Sequence, residues 1–238
     1  MKYFSQQTGD FGYKFSFTPK TGECIWGLNL AYKSGAVSDF SSTYDRQVIS
    51  GLSGIGNSSS LENPYLFLGD CGSGLVEVYY NEHLEKTTGE DSFYKVNRLT
   101  GDGFTGVSGF GYAIQSKSDG LAVGAPYSKI NDQANAGATF VFSRTLQEGG
   151  NTGNNGWGQL TAFSGTDSGA FYGKSVDLTR QNTNLLLVAG APGENSGSGA
   201  VYMHNTSPTT LIKKIDAVGS GIQSFGKEVK FIEKDSIR

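Results

Sequence analysis

The chain has 238 residues, of which 17% are charged, with a formal net charge of −3 and an isoelectric point near 5.4. No Lys/Arg cluster stands out to neutralise a phosphate backbone, no apolar run reaches transmembrane length, and Met1-Lys-Tyr-Phe-Ser-Gln-Gln7 lacks the apolar stretch of a secretory signal; nucleic-acid binding and membrane insertion are both disfavoured. Thirty-five glycines against five prolines, with 12% aromatic residues, exclude a disordered Pro/Gly tract and suit many short strands joined by tight turns.

In chain order, one phrase returns. A first, weak copy (about 11–54) opens at Phe11-Gly12-Tyr-Lys-Phe-Ser-Phe17. A second (about 55–109) opens at Ile55-Gly56 and continues through Leu66-Phe-Leu-Gly-Asp-Cys71 and Gly74-Leu-Val-Glu-Val-Tyr-Tyr80. The third (about 110–170) reads Phe110-Gly111-Tyr-Ala-Ile, Leu121-Ala-Val-Gly124-Ala125-Pro126 and Gly137-Ala-Thr-Phe-Val-Phe142. The fourth (about 171–224) reads Phe171-Tyr-Gly173-Lys-Ser-Val, Leu187-Val-Ala-Gly190-Ala191-Pro192 and Gly199-Ala-Val-Tyr-Met203. A partial fifth (225–238) opens at Phe225-Gly226-Lys-Glu-Val-Lys-Phe-Ile. The marker glycines 12, 56, 111, 173 and 226 recur at steps of 44, 55, 62 and 53 residues, a period that suits propeller blades of four strands each.

Within each copy, Gly137–Phe142 and Gly199–Met203 predict strands that start on small residues and continue on β-branched and aromatic ones. Leu185–Ala189 predicts a strand buried on both faces. Tyr94–Leu99, Trp157–Thr161 and Leu211–Ile215 predict the strand that closes each unit. The repeated glycines predict close backbone approach or positive φ at turns. The whole chain is therefore expected to be one all-β domain, with helix nearly absent.

The order "aromatic-Gly, short strand, apolar strand ending in Gly-Ala-Pro, loop, Gly-Ala-aromatic strand, closing strand" resembles the FG-GAP repeat. That repeat builds the seven-bladed propeller of integrin α-subunits and occurs in bacterial and phage surface proteins. The resemblance is close over Phe110–Thr161 and Phe171–Ile215, partial over Ile55–Leu99 and weak over Phe11–Ile49. It implies a β-propeller of four blades plus a partial fifth, with the Phe-Gly turns and Gly-Ala-Pro loops on one face. It assigns motif roles to Phe110, Gly111, Gly124, Ala125, Pro126, Phe171, Gly173, Gly190, Ala191, Pro192, Phe225 and Gly226. Four copies and a fragment fall short of seven. A longer chain would account for this, as would closure of the ring by Lys2-Tyr3-Phe4, with the last sheet borrowing a strand around Phe225–Ile232.

Calcium-carrying blades of the family resemble D-x-[DN]-x-D-G between strands one and two, where alternating carboxylates supply hard oxygen ligands. Here the turns offer only Asp119 and Asp177, flanked by Lys117 and Arg180, and Asp119-Gly120 reads as a tight hairpin turn. No metal or other cofactor is expected. No catalytic motif is present: His83 and His204 read as surface residues, and Gly101-Asp-Gly103-Phe-Thr-Gly106 precedes a strand rather than opening a helix. Cys24 and Cys71 lie in different copies and read as unpaired thiols in preference to a bridge. Lys213-Lys214 reads as a solvated pair on an outer strand.

The remaining surface is rich in Ser, Thr, Asn, Gln, Gly and Tyr, the residue set of adaptable recognition loops. Loops after the Gly-Ala-Pro position vary most, and the longest makes Tyr127, Lys129, Asn131, Asp132, Gln133 and Asn135 the candidate contact residues. The expected function is a non-enzymatic interaction or adhesion module that binds a protein or glycan through its loop face. The alternative is a structural component of a virion, such as a phage tail or fibre, or of an extracellular filament, packed against neighbouring chains. An extracellular or virion-associated setting fits the composition in both cases.

Overall fold

The computed structural model describes residues 3–8, 11–19, 26–34, 45–49, 55–62, 64–80, 93–144, 156–219 and 221–232, with side chains from residue 58 onward. These form four antiparallel sheets of four strands each. The first contains β1 (Tyr3–Thr8), β2 (Phe11–Pro19), β3 (Trp26–Ser34) and β4 (Asp45–Ile49). The second contains β5 (Ile55–Glu62), β6 (Tyr65–Asp70), β7 (Leu75–Tyr80) and β8 (Tyr94–Leu99). The third contains β9 (Ala113–Lys117), β10 (Gly120–Ala125), β11 (Ala138–Arg144) and β12 (Trp157–Ser164). The fourth contains β13 (Ser175–Gln181), β14 (Asn184–Ala191), β15 (Ala200–Thr206) and β16 (Thr209–Asp216). In every sheet the strands lie side by side in sequence order. The only helical segment among the described residues is the short turn Glu194–Gly197.

Core lies between consecutive sheets, which explains why β10 and β14 read as unbroken apolar runs. Leu121, Val123 and Ala125 of β10 join Phe67, Val76 and Val78 of the second sheet and Phe140, Phe142 and Trp157 of their own. The intervening Ala122 faces the other way, toward Leu178, Leu185 and Leu187 of the fourth sheet. Large side chains on one face and small ones on the other let the sheets stack closely. Trp157, at the start of β12, meets Phe67 and Tyr65 edge-on, with ring centroids 5.0 and 5.6 Å away.

The joints between units are built from backbone. An ideal Cβ on Gly124, near the end of β10, would lie 1.9 Å from the carbonyl oxygen of Gly173, at the opening of the next unit. Gly173 itself sits at φ +84°, which turns that carbonyl onto Gly124. The same geometry joins Gly69 to Gly111 and Gly190 to Gly226. A parallel bridge beside each later joint, Gly137 with Tyr172 and Gly199 with Phe225, completes the docking. A serine of the inner strand reinforces two joints: Ser58 donates to Gly111 O at 2.6 Å, and Ser175 donates to Gly226 O at 2.8 Å. The matching position in the third unit is Ala113, which pairs with Gly124 as Ser175 pairs with Gly190. Ser175→Ala should therefore cost only about 1 kcal/mol, the net worth of a single hydrogen bond. The check is a lowered urea midpoint with an unchanged slope.

Several sequence expectations need correction. Phe11-Gly12 does not open a unit, because it lies inside β2. The first sheet starts at Tyr3, and Tyr3–Thr8 pairs with the strand two residues further on. A hairpin this local closes at little entropic cost, so the strand stays in its own sheet and does not serve the last one. The fourth sheet takes all four strands from its own unit, and Phe225–Ile232 forms no strand. Its opening docks on Gly190 and Gly199, and the Phe231 amide goes to the Asp177 carboxylate at 2.6 Å. In the fourth unit Tyr172, not Phe171, is the buried aromatic before the docking glycine. Phe171 stands half-buried at φ +54°. The hairpin turn after β9 is Ser118-Asp119, with Ser118 at φ +56°; Gly120 already pairs with Lys117. His83 and Cys24 fall outside the described residues.

Candidate functional site

The loop from Tyr127 to Asn135 leaves β10 at the end of the sheet where the units dock, and its fold is fixed locally. Ile130 is buried, and its backbone exchanges two hydrogen bonds with Gln133, at 3.1 and 2.8 Å. Between them Asn131 and Asp132 have φ of +46° and +66°. Positive φ at both central residues makes a type I′ turn, which Asn and Asp tolerate better than other side chains. Ser128 is fully buried and donates to Ala125 O at 2.8 Å. The far limb grips the next unit: Ala134 O accepts the Gly169 amide and Asn135 O accepts the Phe171 amide, at 2.8 and 2.9 Å. The longest loop of its kind in the sequence is thus held at both ends.

Of the candidate contact residues, Lys129 and Asp132 pair with each other at 2.7 Å on the exposed tip. Asn131 and Gln133 are also exposed, and Asn135 is half-buried at the root. Tyr127 belongs to a different group. Its ring meets Tyr112 and Phe171 edge-on, with centroids 5.5 and 6.0 Å apart. Lys174 threads among them: its Nζ lies 4.0 Å from the Tyr112 centroid, 4.8 Å from Tyr127 and 5.9 Å from Phe171, and donates to the Tyr127 hydroxyl at 2.8 Å. Partial burial acts to lower the Lys174 pKa, but hydrogen bonding to the Tyr112 and Tyr127 hydroxyls outweighs it and holds the amine above its ordinary value. The ammonium therefore stays charged throughout the neutral range.

Tyr112 and Lys174 escaped sequence reasoning, although a signal existed. Each directly follows its unit's docking glycine, Gly111 or Gly173, so they are equivalent positions of neighbouring units. The docking of one unit on the next brings such positions together.

Two buried carboxylates are committed elsewhere. Glu194 accepts the Tyr202 hydroxyl at 2.6 Å and pairs with Lys214 at 2.5 Å. Lys214 also reaches Asp216, so this lysine of the exposed outer strand is ion-paired as well as solvated. Its pKa is raised, first by the hydrogen bond to Glu194. Glu77 holds Lys95, Arg98 and the Tyr79 hydroxyl. Burial acts to raise its pKa, but these partners outweigh it and hold the carboxyl below the ordinary value. His204 is not a surface residue: it is buried, its Nε2 lies 2.8 Å from the Tyr172 hydroxyl, and its ring lies tilted against Phe163 with centroids 4.1 Å apart.

Asp177 lies within β13 rather than in a turn, and it holds Leu178 N and Phe231 N. It borders a cleft of about 330 Å³ shared with Gln115, Lys117 and Lys230. Asp119 is paired with Arg180 of the neighbouring hairpin. Among the described residues no three His, Cys, Asp or Glu side chains form a group suited to a metal ion, and no helix is long and apolar enough to cross a membrane. Cys71 lies half-buried in the turn after β6.

No protein-family model matches the chain, and no curated protein matches it in sequence. Among solved structures it is similar to a propeller-type protein from Lactobacillus plantarum, with a TM-score of 0.52 and 9% identity. The match covers 89% of this chain and 54% of the other, so the chain spans about half that protein's length. At this identity the likeness concerns fold alone: the chain has an all-β, propeller-like repeat architecture.

Proposed function

We propose that the chain is a non-enzymatic recognition module, a propeller of FG-GAP type with four blades and the opening of a fifth, that binds a protein or glycan through the face carrying the Tyr127–Asn135 loop. The observation that supports this is the junction between the third and fourth units. There an exposed tyrosine, two further aromatic rings and an ammonium adjoin a loop already held in one conformation. Aromatic rings supply contact area at low entropic cost, and a loop ordered in advance leaves little ordering to be done on binding. Of the two partner classes, a glycan suits the rings and the amides of Asn131 and Gln133 better than a flat protein surface does.

The test is a glycan and protein array probed with the wild-type chain and with Tyr127→Ala/Gln133→Ala. Loss of the hits with at most a small drop in melting temperature is expected: both residues are exposed, and the drop reflects only the Tyr127 contacts with Tyr112, Phe171 and Lys174. Hits that survive the double substitution would remove this face from the reading.

A second reading, an assembly component packed against neighbouring chains, is favoured by one observation. The outermost strand β16 is exposed along its whole length and carries Leu211, Ile212 and Ile215 at 54%, 51% and 41% exposure. Exposed apolar edge strands are sites of chain-to-chain pairing. Concentration-dependent association that Ile212→Lys abolishes would favour this second reading.

A further inference from the structure

Lys174 sits within the candidate face, and no acid pairs with it among the described residues. Its partners are the Tyr127 and Tyr112 hydroxyls and the three rings. The other cation of this loop face, Lys129, is matched by Asp132. An ammonium has three donors; the Tyr127 and Tyr112 hydroxyls take up to two, which leaves at least one for a ligand. The rings shield the side chain from water and steady the charge, so an incoming anion meets a cation already held in position. Beside it the Tyr127 ring is 38% exposed. At the loop tip, the Asn131 and Gln133 side chains carry no internal hydrogen bond to described residues, which leaves amide donors and acceptors for a ligand rich in hydroxyls.

Building on the recognition reading above, we infer that this junction binds a carboxylate-bearing saccharide. The carboxylate lies against Lys174, the carbon-bound hydrogens of the sugar ring lie against Tyr127, and hydroxyls meet Asn131 and Gln133. Charge chooses the acid over a neutral sugar. The exposed ring and the amides choose a saccharide over an acidic peptide, for which this junction offers no open strand edge.

The experiment is isothermal titration of the 238-residue chain with tetragalacturonate, with its full methyl ester and with tetraglutamate. The acid saccharide should bind about tenfold or more tightly than the ester, which has the same rings without the charge, and should weaken as salt is raised. Lys174→Gln should lose about tenfold in affinity while melting at the wild-type temperature, and Lys174→Arg should retain most of it. If Lys174→Gln melts early, Tyr127→Ala provides the second arm, since that side chain is exposed and its loss should weaken the acid and the ester alike. Equal binding of acid and ester, equal binding of tetraglutamate, or no binding of any probe would each overturn the inference. Array hits that depend on Tyr127 but ignore charge would leave the recognition reading standing while removing this one.

Discussion

Gly124→Ala should cost at least about 4 kcal/mol, placing it in the far tail of single substitutions. The added methyl would lie 1.9 Å from the Gly173 carbonyl oxygen, and the obstacle is backbone held at φ +84°, not a side chain that can swing aside. Relief requires the third and fourth units to move apart, which opens the core formed by Ala122, Val141, Tyr172, Leu185 and Leu187. A domain is stable by only about 5–15 kcal/mol in all, so most of the margin is lost and insoluble protein is an expected symptom. Gly190→Ala, at 1.8 Å from Gly226 O, should behave similarly if the Phe225-Gly226 docking is as firm as its predecessors. Gly158→Ala, on β12, is the control: nothing lies within 4 Å of its Cβ position, and the change should be neutral or slightly stabilising. Urea unfolding of the three variants checks this. A midpoint for Gly124→Ala within error of wild type would show that the joint is looser than a 1.9 Å approach implies.

Acid should weaken the fold well above the carboxylate range, and His204 should be the cause. Burial lowers its pKa to about 4 from the ordinary 6.5, and among the described residues Nδ1 has no acceptor for the proton that would make the ring cationic. As pH falls below 6.5 the unfolded chain gains a proton that the folded chain refuses. Stability is full above that value, declines between pH 6.5 and 4, and changes no further on this account once both states are protonated. The loss over that window is up to about 3 kcal/mol. Glu77, whose pKa is lowered by its cationic partners, contributes stability that disappears as pH falls through its folded value, below the ordinary 4.5, so the two effects separate on the pH axis. Melting temperatures from pH 7.5 to 3.5 should show the upper decline in the wild type. His204→Gln, which stays neutral and keeps a polar atom for Tyr172, should flatten it. The same slope in both proteins would assign the acid sensitivity elsewhere.

The four-stranded units were legible because their markers do mechanical work. Gly111, Gly173, Gly124 and Gly190 are written into the sequence by backbone contacts that admit no side chain, and β14 reads as apolar because both its faces are covered. Phe11-Gly12 carries the same letters at the start of a second strand, and only strand pairing tells the two cases apart. His204 looked superficial because its segment is polar, yet Phe163 and Tyr172 cover it from other elements. The Tyr112–Tyr127–Phe171–Lys174 group was legible only in part. The loop was found by its length, but the lysine among the rings comes from a different unit and needs the docking to be placed.

The joint described above is made of peptide groups, so it asks almost nothing of the side chains around it. Any unit that ends its second strand on glycine accepts any other that opens with a glycine turned to positive φ. Copies can then be duplicated, lost or exchanged as whole cassettes, and the surrounding letters can drift until little sequence likeness remains, while the shape persists.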